Sequence, residues 1–385
     1  MNRRKFITIV GSSAIVLAAA GFEGYGWVKT RRPDRALAPW DNAGNASYRD
    51  PRMKALSYAI LAPNPHNRQP WLVDLKTPNR VVLYCDLERL LPQTDPFNRQ
   101  ILMGHGCFLE LLDIAARELG FTVTITPFPD GFSDEALDKR PIALIDFTLD
   151  TAADKDPLFQ QITKRRTNKE TYDTNRPVDQ AKVAAICEAV SQGVSSDFTL
   201  DSGLVSRLRD LTLRAHLVEF TTPRTWKETV DLMRIGKEEI ERNPDGVDLG
   251  GAFLEGLSAL GQISREQMTD VNSTAFKQGL DIYKEKIASS MGFVWITTPT
   301  NTRFEQINAG RSWVRMNLKA TELGVSVNPH SQALQEFPEM QELFVELHQE
   351  LHLESPSRLQ MFARIGYGPV VDVSPRWRID SKIMT

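Results

Sequence analysis

The 385-residue chain reads as an α+β protein built from two fused halves of one domain. Three observations predict this. Segments of helical and strand pattern alternate along the chain. The stretch GCFLELLDIAARELGFTV (106–123) aligns without gaps to GRSWVRMNLKATELGVSV (310–327) at a constant offset of 204 residues, with Gly106/Gly310, Ala116/Ala320, Glu118/Glu322, Leu119/Leu323, Gly120/Gly324 and Val123/Val327 identical. A strand-like run precedes each copy, VVLYCD before the first and FVWITT before the second. The unit is too long for a solenoid repeat, so two fused halves are expected.

Residues 1–28 are set apart from the fold. Arg3, Arg4 and Lys5 precede an apolar, small-residue run over 6–20, the pattern of an export signal. Its Arg-Arg-Lys-Phe-Ile order resembles the bacterial twin-arginine signal, which is read by a receptor and implies a partner in that export machinery. Cleavage after Ala20 and retention as an anchor both remain open: the run is short of the ~20 apolar residues that span a bilayer, and 21–28 extend it. Either way the body is expected in the periplasm or at the outer face of the cytoplasmic membrane, with membrane contact only if the signal stays uncleaved. Residues 29–45, with Pro33 and Pro39, read as a linker.

The first half, 46–155, is expected to hold a helix over 52–61 and strands over 71–75 and 81–86, joined by a Thr-Pro-Asn hairpin turn. A helix over 106–119, stopped by Gly120, and strands over 121–126 and 142–149 follow. The second half, 156–385, opens with a helix over 177–191, Pro177 in its first turn. Helices fill about 216–290, a stretch with no counterpart in the first half. A strand over 293–298, a helix over 302–323 and a mostly extended segment over 362–373 complete it. The insertion carries MRIGKEEIERNPDGVDLGG and reads equally as a lid over a site or as added core packing.

The hydrophobic content of 41% and charged content of 25% are ordinary for a globular chain. A net charge of −3 argues against a nucleic-acid partner. Cys85, Cys107 and Cys187 are too few for a disulfide framework or zinc knuckle; one disulfide stays open, with one thiol then left free. HQELH, with His348 and His352 four apart, lacks the glutamate after the first histidine that a zincin helix needs, and lies on an acidic amphipathic face, so no metal is assigned. His105 reads as structural.

Two segments carry chemistry. APNPHNRQPW (62–71) is stiffened by Pro63, Pro65 and Pro70 and offers the amides of Asn64, Asn67 and Gln69, with His66 among them. It is either a rigid helix-to-strand connector or a cradle for a flat heterocycle. KRRTNKETYD (164–173) concentrates Lys164, Arg165, Arg166 and Lys169 beside the Thr167 hydroxyl. It is either a solvated basic turn or a phosphate grip.

Together these segments resemble the hallmark loops of the nitroreductase (flavin reductase) family: Ala-Pro-Ser-x-x-Asn-x-Gln-Pro-Trp and Arg-Arg-Ser/Thr-x-Arg/Lys followed by an aromatic. The order of the two, with LPQTDPFNRQ and a closing Ser-Pro-Arg-Trp-Arg, is similar to the duplicated Acg-type branch from about residue 45 onward. The resemblance implies a duplicated nitroreductase-like fold in which one polypeptide mimics a homodimer, with FMN as cofactor. Arg165, Arg166, Thr167 and Lys169 would then serve the phosphate and ribityl groups, Pro63, Asn64, Pro65, Asn67 and Gln69 the ring side, and Arg376 or Arg378 the phosphate. It further implies flavin-borne chemistry with no catalytic side chain, a small-molecule electron donor and acceptor such as a quinone or nitro compound, and a monomer. A flavin-sequestering protein with little turnover is the alternative, and a structural protein on an old flavoprotein scaffold a third. Asn64 stands where the family has Ser, and Trp377 interrupts the closing Arg-Arg.

Overall fold

The computed structural model describes residues 31–385; the expected export segment and the start of the expected linker lie outside the described residues. Strands β1 (Trp71–Asp74), β2 (Arg80–Cys85), β3 (Phe121–Pro127) and β4 (Ala143–Leu149) form one antiparallel sheet in the order β1-β2-β4-β3. β5 (Ser195–Thr199) opens a second sheet. β6 (Met233–Ile235) and β7 (Val247–Leu249) pair only with each other. β8 (Gly292–Thr298), β9 (Ser326–Pro329) and β10 (Arg358–Gly366) complete the second sheet in the order β5-β8-β10-β9, also antiparallel throughout. The two sheets thus share one topology. In each, a long helix crosses from the second strand to the third, and the fourth inserts between them.

The helices are α1 (Asp34–Asp41), α2 (Pro51–Ala59), α3 (Arg99–Glu118), α4 (Gln180–Cys187), α5 (Ser202–Thr221), α6 (Pro223–Asp231), α7 (Gly236–Arg242), α8 (Ala252–Ala259), α9 (Arg265–Thr269), α10 (Thr274–Ala288), α11 (Arg303–Leu323) and α12 (Gln341–Glu350). The repeated helices α3 and α11 pack on each other at the centre of the molecule. A Cβ on Gly106 would lie 2.1 Å from the Ile307 carbonyl oxygen, and one on Gly310 would lie 2.0 Å from that of Met103. Met103 and Ile307 are themselves 204 residues apart, so the contact is self-complementary, as at a twofold interface. The repeat's glycines therefore exist to let two backbones touch. Both helices end on a left-handed glycine, Gly120 (φ 80°) and Gly324 (φ 67°), the αL cap that closes a helix without a Cβ penalty.

One difference between the halves lies in what covers their sheets. Strand β2 alternates buried and half-buried residues, whereas all of β8 is buried. Val205, Leu208, Leu211 and Ala215 of α5 cover Phe293 and Trp295, with Leu343 and Leu347 of α12 beside them. The start of α5 and α12 thus add a layer to the second sheet, and the insertion, through Phe220, Trp226, Val230, Met233, Met268 and Phe276, builds a small core of its own.

Several expectations need correction. The stretch 29–45 is not a linker where it is described: α1 forms there and buries Ala36, Leu37, Pro39 and Trp40. The helix expected from Gly106 starts at Arg99, because the buried Asp95 carboxylate accepts the Gln100 and Ile101 amides at 3.1 and 2.9 Å and caps it about two turns earlier. The helix expected over 177–191 shortens to α4, capped by Asp179 on the Ala181 amide. The helical insertion is broken by the β6–β7 pair, whose turn ends at Gly246 (φ 77°). The expected 362–373 strand starts earlier, at Arg358, and stops at Gly366. Strands β5 and β9 were not expected. All three cysteines are free and buried.

Beyond β10 the chain returns to the first half. Arg376 N–H donates to Ala36, Trp40 Nε1 donates to Ser374, Met384 N–H donates to Val73, and Ile383 bridges to Val73. This return carries Arg376 beneath the 62–71 loop. No helix among the described residues is long and apolar enough to cross a membrane.

Candidate functional site

A cavity of about 320 Å³, the small end of the range for ligand sites, lies between the halves and the insertion. The 62–71 loop forms one wall with an unusual backbone: His66 (φ 46°), Asn67 (φ 51°) and Gln69 (φ 50°) are all left-handed, which costs energy for residues with a Cβ. The loop is held by its own amides. Asn64 Oδ1 accepts the Gln69 N–H at 2.7 Å, and Asn64 Nδ2 donates to Ala62 at 3.0 Å. Asn67 Nδ2 donates to Pro375 at 3.0 Å, and Asn67 Oδ1 accepts from Arg376. Gly104 on α3 lets the loop settle close, since a Cβ there would meet Asn64 Cβ at 3.0 Å.

Opposite stands the basic segment. Pro63, Asn64, Pro65, His66, Asn67, Arg165, Thr167, Lys169 and Arg376 all line the one cavity. Loop and basic segment, from different halves, therefore line one cavity. Arg165 is 2% exposed and donates to the Leu61 carbonyl (3.2 Å) and to Thr167 Oγ1 (3.5 Å). Arg376 donates to Pro375 (2.9 Å), Leu61 (3.2 Å) and Ala62 (3.3 Å). The Nε of each has no partner among the described residues. Burial pushes Arg165 down to about 10 and, together with the Arg165 charge, Arg376 well below its ordinary value. Burial also lowers Lys169, against the pull of Asp248. Trp40 of α1 lies under three guanidiniums, those of Arg165, Arg166 and Arg376, 5.3–5.7 Å from its ring centre. Two buried cations with no carboxylate in contact suit an anion.

Three expected residues stand outside the cavity. Gln69 is wholly buried and works as a clasp: its Nε2 donates to Pro244 (2.7 Å) and its Oε1 accepts the Trp377 N–H (2.8 Å). Arg166 turns away to the carbonyls of Thr163 and Arg165, at 2.9 and 2.8 Å. Arg378 is exposed and pairs with Asp380. Between the two closing arginines, the structure therefore places Arg376 at the site. Trp377, which interrupts them, anchors the tail instead, donating its Nε1 to Asp245 at 3.0 Å.

The insertion closes over the loop through its 243–246 turn. The Gly246 N–H donates to Asn67, and Asp245 joins Arg89, Arg234 and Trp377. His216, Glu219, Phe220, Trp226, Thr229, Met233 and Tyr283 of the insertion face the same cavity. Sequence reasoning assigned none of these to the site, because no motif marks them. Apart from Met233 of β6 they are ordinary helix residues, and their direction depends on how the insertion folds back. His348 bridges α12 to β10, donating to Phe344 (2.8 Å) and accepting the Leu359 N–H (3.3 Å), and no metal-binding group of His, Cys, Asp or Glu occurs among the described residues. His105 is buried on the Ile101 carbonyl.

No family model matches the chain. Among curated proteins it is similar to a Mycobacterium tuberculosis protein provisionally named NAD(P)H nitroreductase acg, 33% identical over 94 residues, or 24% of this chain and 27% of that protein. It is also similar to a Serratia protein provisionally named NAD(P)H nitroreductase PigM, 23% identical over 199 residues, or 51% of this chain and 55% of that protein. The chain thus spans about half, or less, of the length of the curated relatives it matches. Similar solved structures include the FMN- and NADPH-dependent nitroreductase NfnB from a Sphingopyxis strain (14% identity, TM-score 0.38, 59% of this chain and 97% of that one). Another is the FMN-dependent NfnB from Mycobacterium smegmatis in complex with NADPH (17% identity, TM-score 0.36, 58% and 94%).

Proposed function

We propose that this chain is an exported, FMN-dependent oxidoreductase of nitroreductase type. The observation that carries the reading is the pairing of two buried, carboxylate-free guanidiniums, Arg165 and Arg376, beneath a strained amide loop contributed by the other half. The donor set fits the cofactor. Arg165, Arg376 and Thr167 would hold the phosphate, Lys169 adds positive charge to the same cavity, and the loop from Pro63 to Asn67 would border the ring. Bound there, FMN supplies two-electron transfer through N5 between a small-molecule donor of NAD(P)H type and an acceptor such as a quinone or nitro compound. The protein's own work is to bind, orient and exclude water, and a cation near the flavin favours its reduced, anionic form.

Purification through the native export route, followed by a visible spectrum, tests this directly. A yellow protein, or a colourless one that takes up added FMN, is expected; refusal of FMN overturns the reading. A second reading, a flavin-holding protein with little turnover, is favoured by the clasp of the 243–246 turn over Asn67 and Gln69. Anaerobic NADPH separates the two: bleaching supports the reductase, whereas bleaching by dithionite alone supports the holder.

A further inference from the structure

The cavity has a second end that the flavin reading does not use. Glu219 of α5 is 3% exposed and lines it without a cationic partner. Thr229 donates to Glu219 Oε1 at 3.2 Å and Gln335 Nε2 donates to Oε2 at 3.3 Å. Beside it runs an aromatic wall. The His216 ring stacks on Tyr283, with centroids 3.4 Å apart, and Phe220 packs on Trp226 at 3.8 Å. Several polar atoms here are buried and lack a partner: both ring nitrogens of His216 and of His330, and the side-chain oxygens of Gln332 and Gln335.

We propose that Glu219 is the specificity-determining group of this second end, its carboxyl donating a hydrogen bond to an accepting oxygen of a neutral planar ring laid against the aromatic wall. The proposal rests on the oxidoreductase reading, since that ring is the second ligand of the same cavity. The charge distribution supports it. The cationic groups of the cavity, Arg165, Lys169 and Arg376, gather by the loop, so anionic groups are drawn there. The groups facing Glu219 are Glu228 and Thr229 of α6, Tyr283 of α10, Gln332 and Gln335 after β9, and His216 one turn back. Burial raises Glu219 to about 7, Glu228 adding to the rise against hydrogen bonds from Thr229, Gln335 and Gln332. Burial keeps His216 and His330 neutral, the latter at about 3 with Arg364 contributing, and pushes the Tyr283 hydroxyl up. Glu219 is thus the group of this cluster that changes charge near neutrality. Protonated it donates; ionised it confronts the ligand's oxygen with a carboxylate and repels it.

The test is calorimetric titration of the purified full-length protein, without reductant, with 1,4-naphthoquinone between pH 5.5 and 9. Wild-type affinity is expected to fall at least ~10-fold across the range, with its midpoint near neutrality. Glu219→Gln, whose amide still donates, should bind at every pH about as the wild type does at pH 5.5. Glu219→Ala should lose at least ~10-fold at low pH. A flat wild-type profile, or an unchanged Glu219→Ala, overturns the proposal. FMN affinity, measured separately on the same proteins, should not change. Loss of FMN binding with an intact naphthoquinone profile would sink the flavin reading instead.

Discussion

Arg165 offers the sharpest test of the composite site. Replacing it by methionine keeps most of the buried volume and removes the charge. In the free protein, Arg165 is a fully buried cation held only by neutral oxygens, with Arg166 and Arg376 near it. Its depressed value means that the unfolded chain takes up the proton more readily. Stability limited by this group therefore rises as pH climbs above about 10, and at neutral pH the protein carries the burial cost. Arg165→Met should leave the flavin-free protein as stable as the wild type, or more so. Flavin binding should suffer instead, because hydrogen bonds to a charged group contribute about 1.5–3 kcal/mol. At 1.4 kcal/mol per factor of ten, this is a rise in FMN Kd of roughly 10- to 150-fold. Fluorescence titration gives Kd, and thermal melts with and without FMN give the linked shift; saturation at 100 times Kd adds about 2.7 kcal/mol. Unchanged Kd with lowered stability would show that Arg165 only braces the Leu61 carbonyl, and would refute the composite site.

Three further outcomes follow from the geometry. Arg378→Ala should change FMN affinity by less than ~0.5 kcal/mol, the scale of an exposed pair, whereas Arg376→Met should resemble Arg165→Met. Gly310→Ala should lower stability by roughly 1–3 kcal/mol in urea unfolding, because its methyl would strike the Met103 carbonyl; an ordinary helix interior would instead gain ~1 kcal/mol from that change. Asp245→Ala should cost about 3 kcal/mol and speed amide exchange over 232–249, since Arg234 loses its carboxylate while Arg89 keeps Asp86. Burial alone would raise Asp245, but hydrogen bonds from Trp377, Arg89 and Arg234 hold it below the usual carboxylate range. Its contribution is therefore present above pH ~4 and lost as pH falls through the lowered value, and an acid melt of the wild type should show that loss where the variant does not.

The duplicated α+β architecture was legible because its grammar is local. A strand, an apolar helix and a terminating glycine repeat at fixed spacing; that Gly106 and Gly310 mark the crossing of the two helices is shown only by the structure. The loop and the basic segment were legible because prolines, amides and arginines bunch there. What stayed hidden depends on tertiary placement. Gln69 sits inside the motif yet faces the tail, and Arg166 sits beside Arg165 yet turns outward. Trp40 lay in an expected linker, but it supports all three guanidiniums. Glu219 gave no signal at all, because a glutamate on an amphipathic helix is ordinarily solvated; only the folding of α6 and α10 around it makes it a buried acid.

The mutual contact of Gly106 and Gly310 has a kinetic corollary. Where two separate chains assemble a site, dilution can pull it apart. Here both walls of the cavity belong to one polypeptide, so neither wall can be lost to dissociation of a subunit. The site's integrity then becomes a property of folding alone, and its cofactor occupancy should be the same in a crowded cell as in a drop of buffer containing the same free ligand.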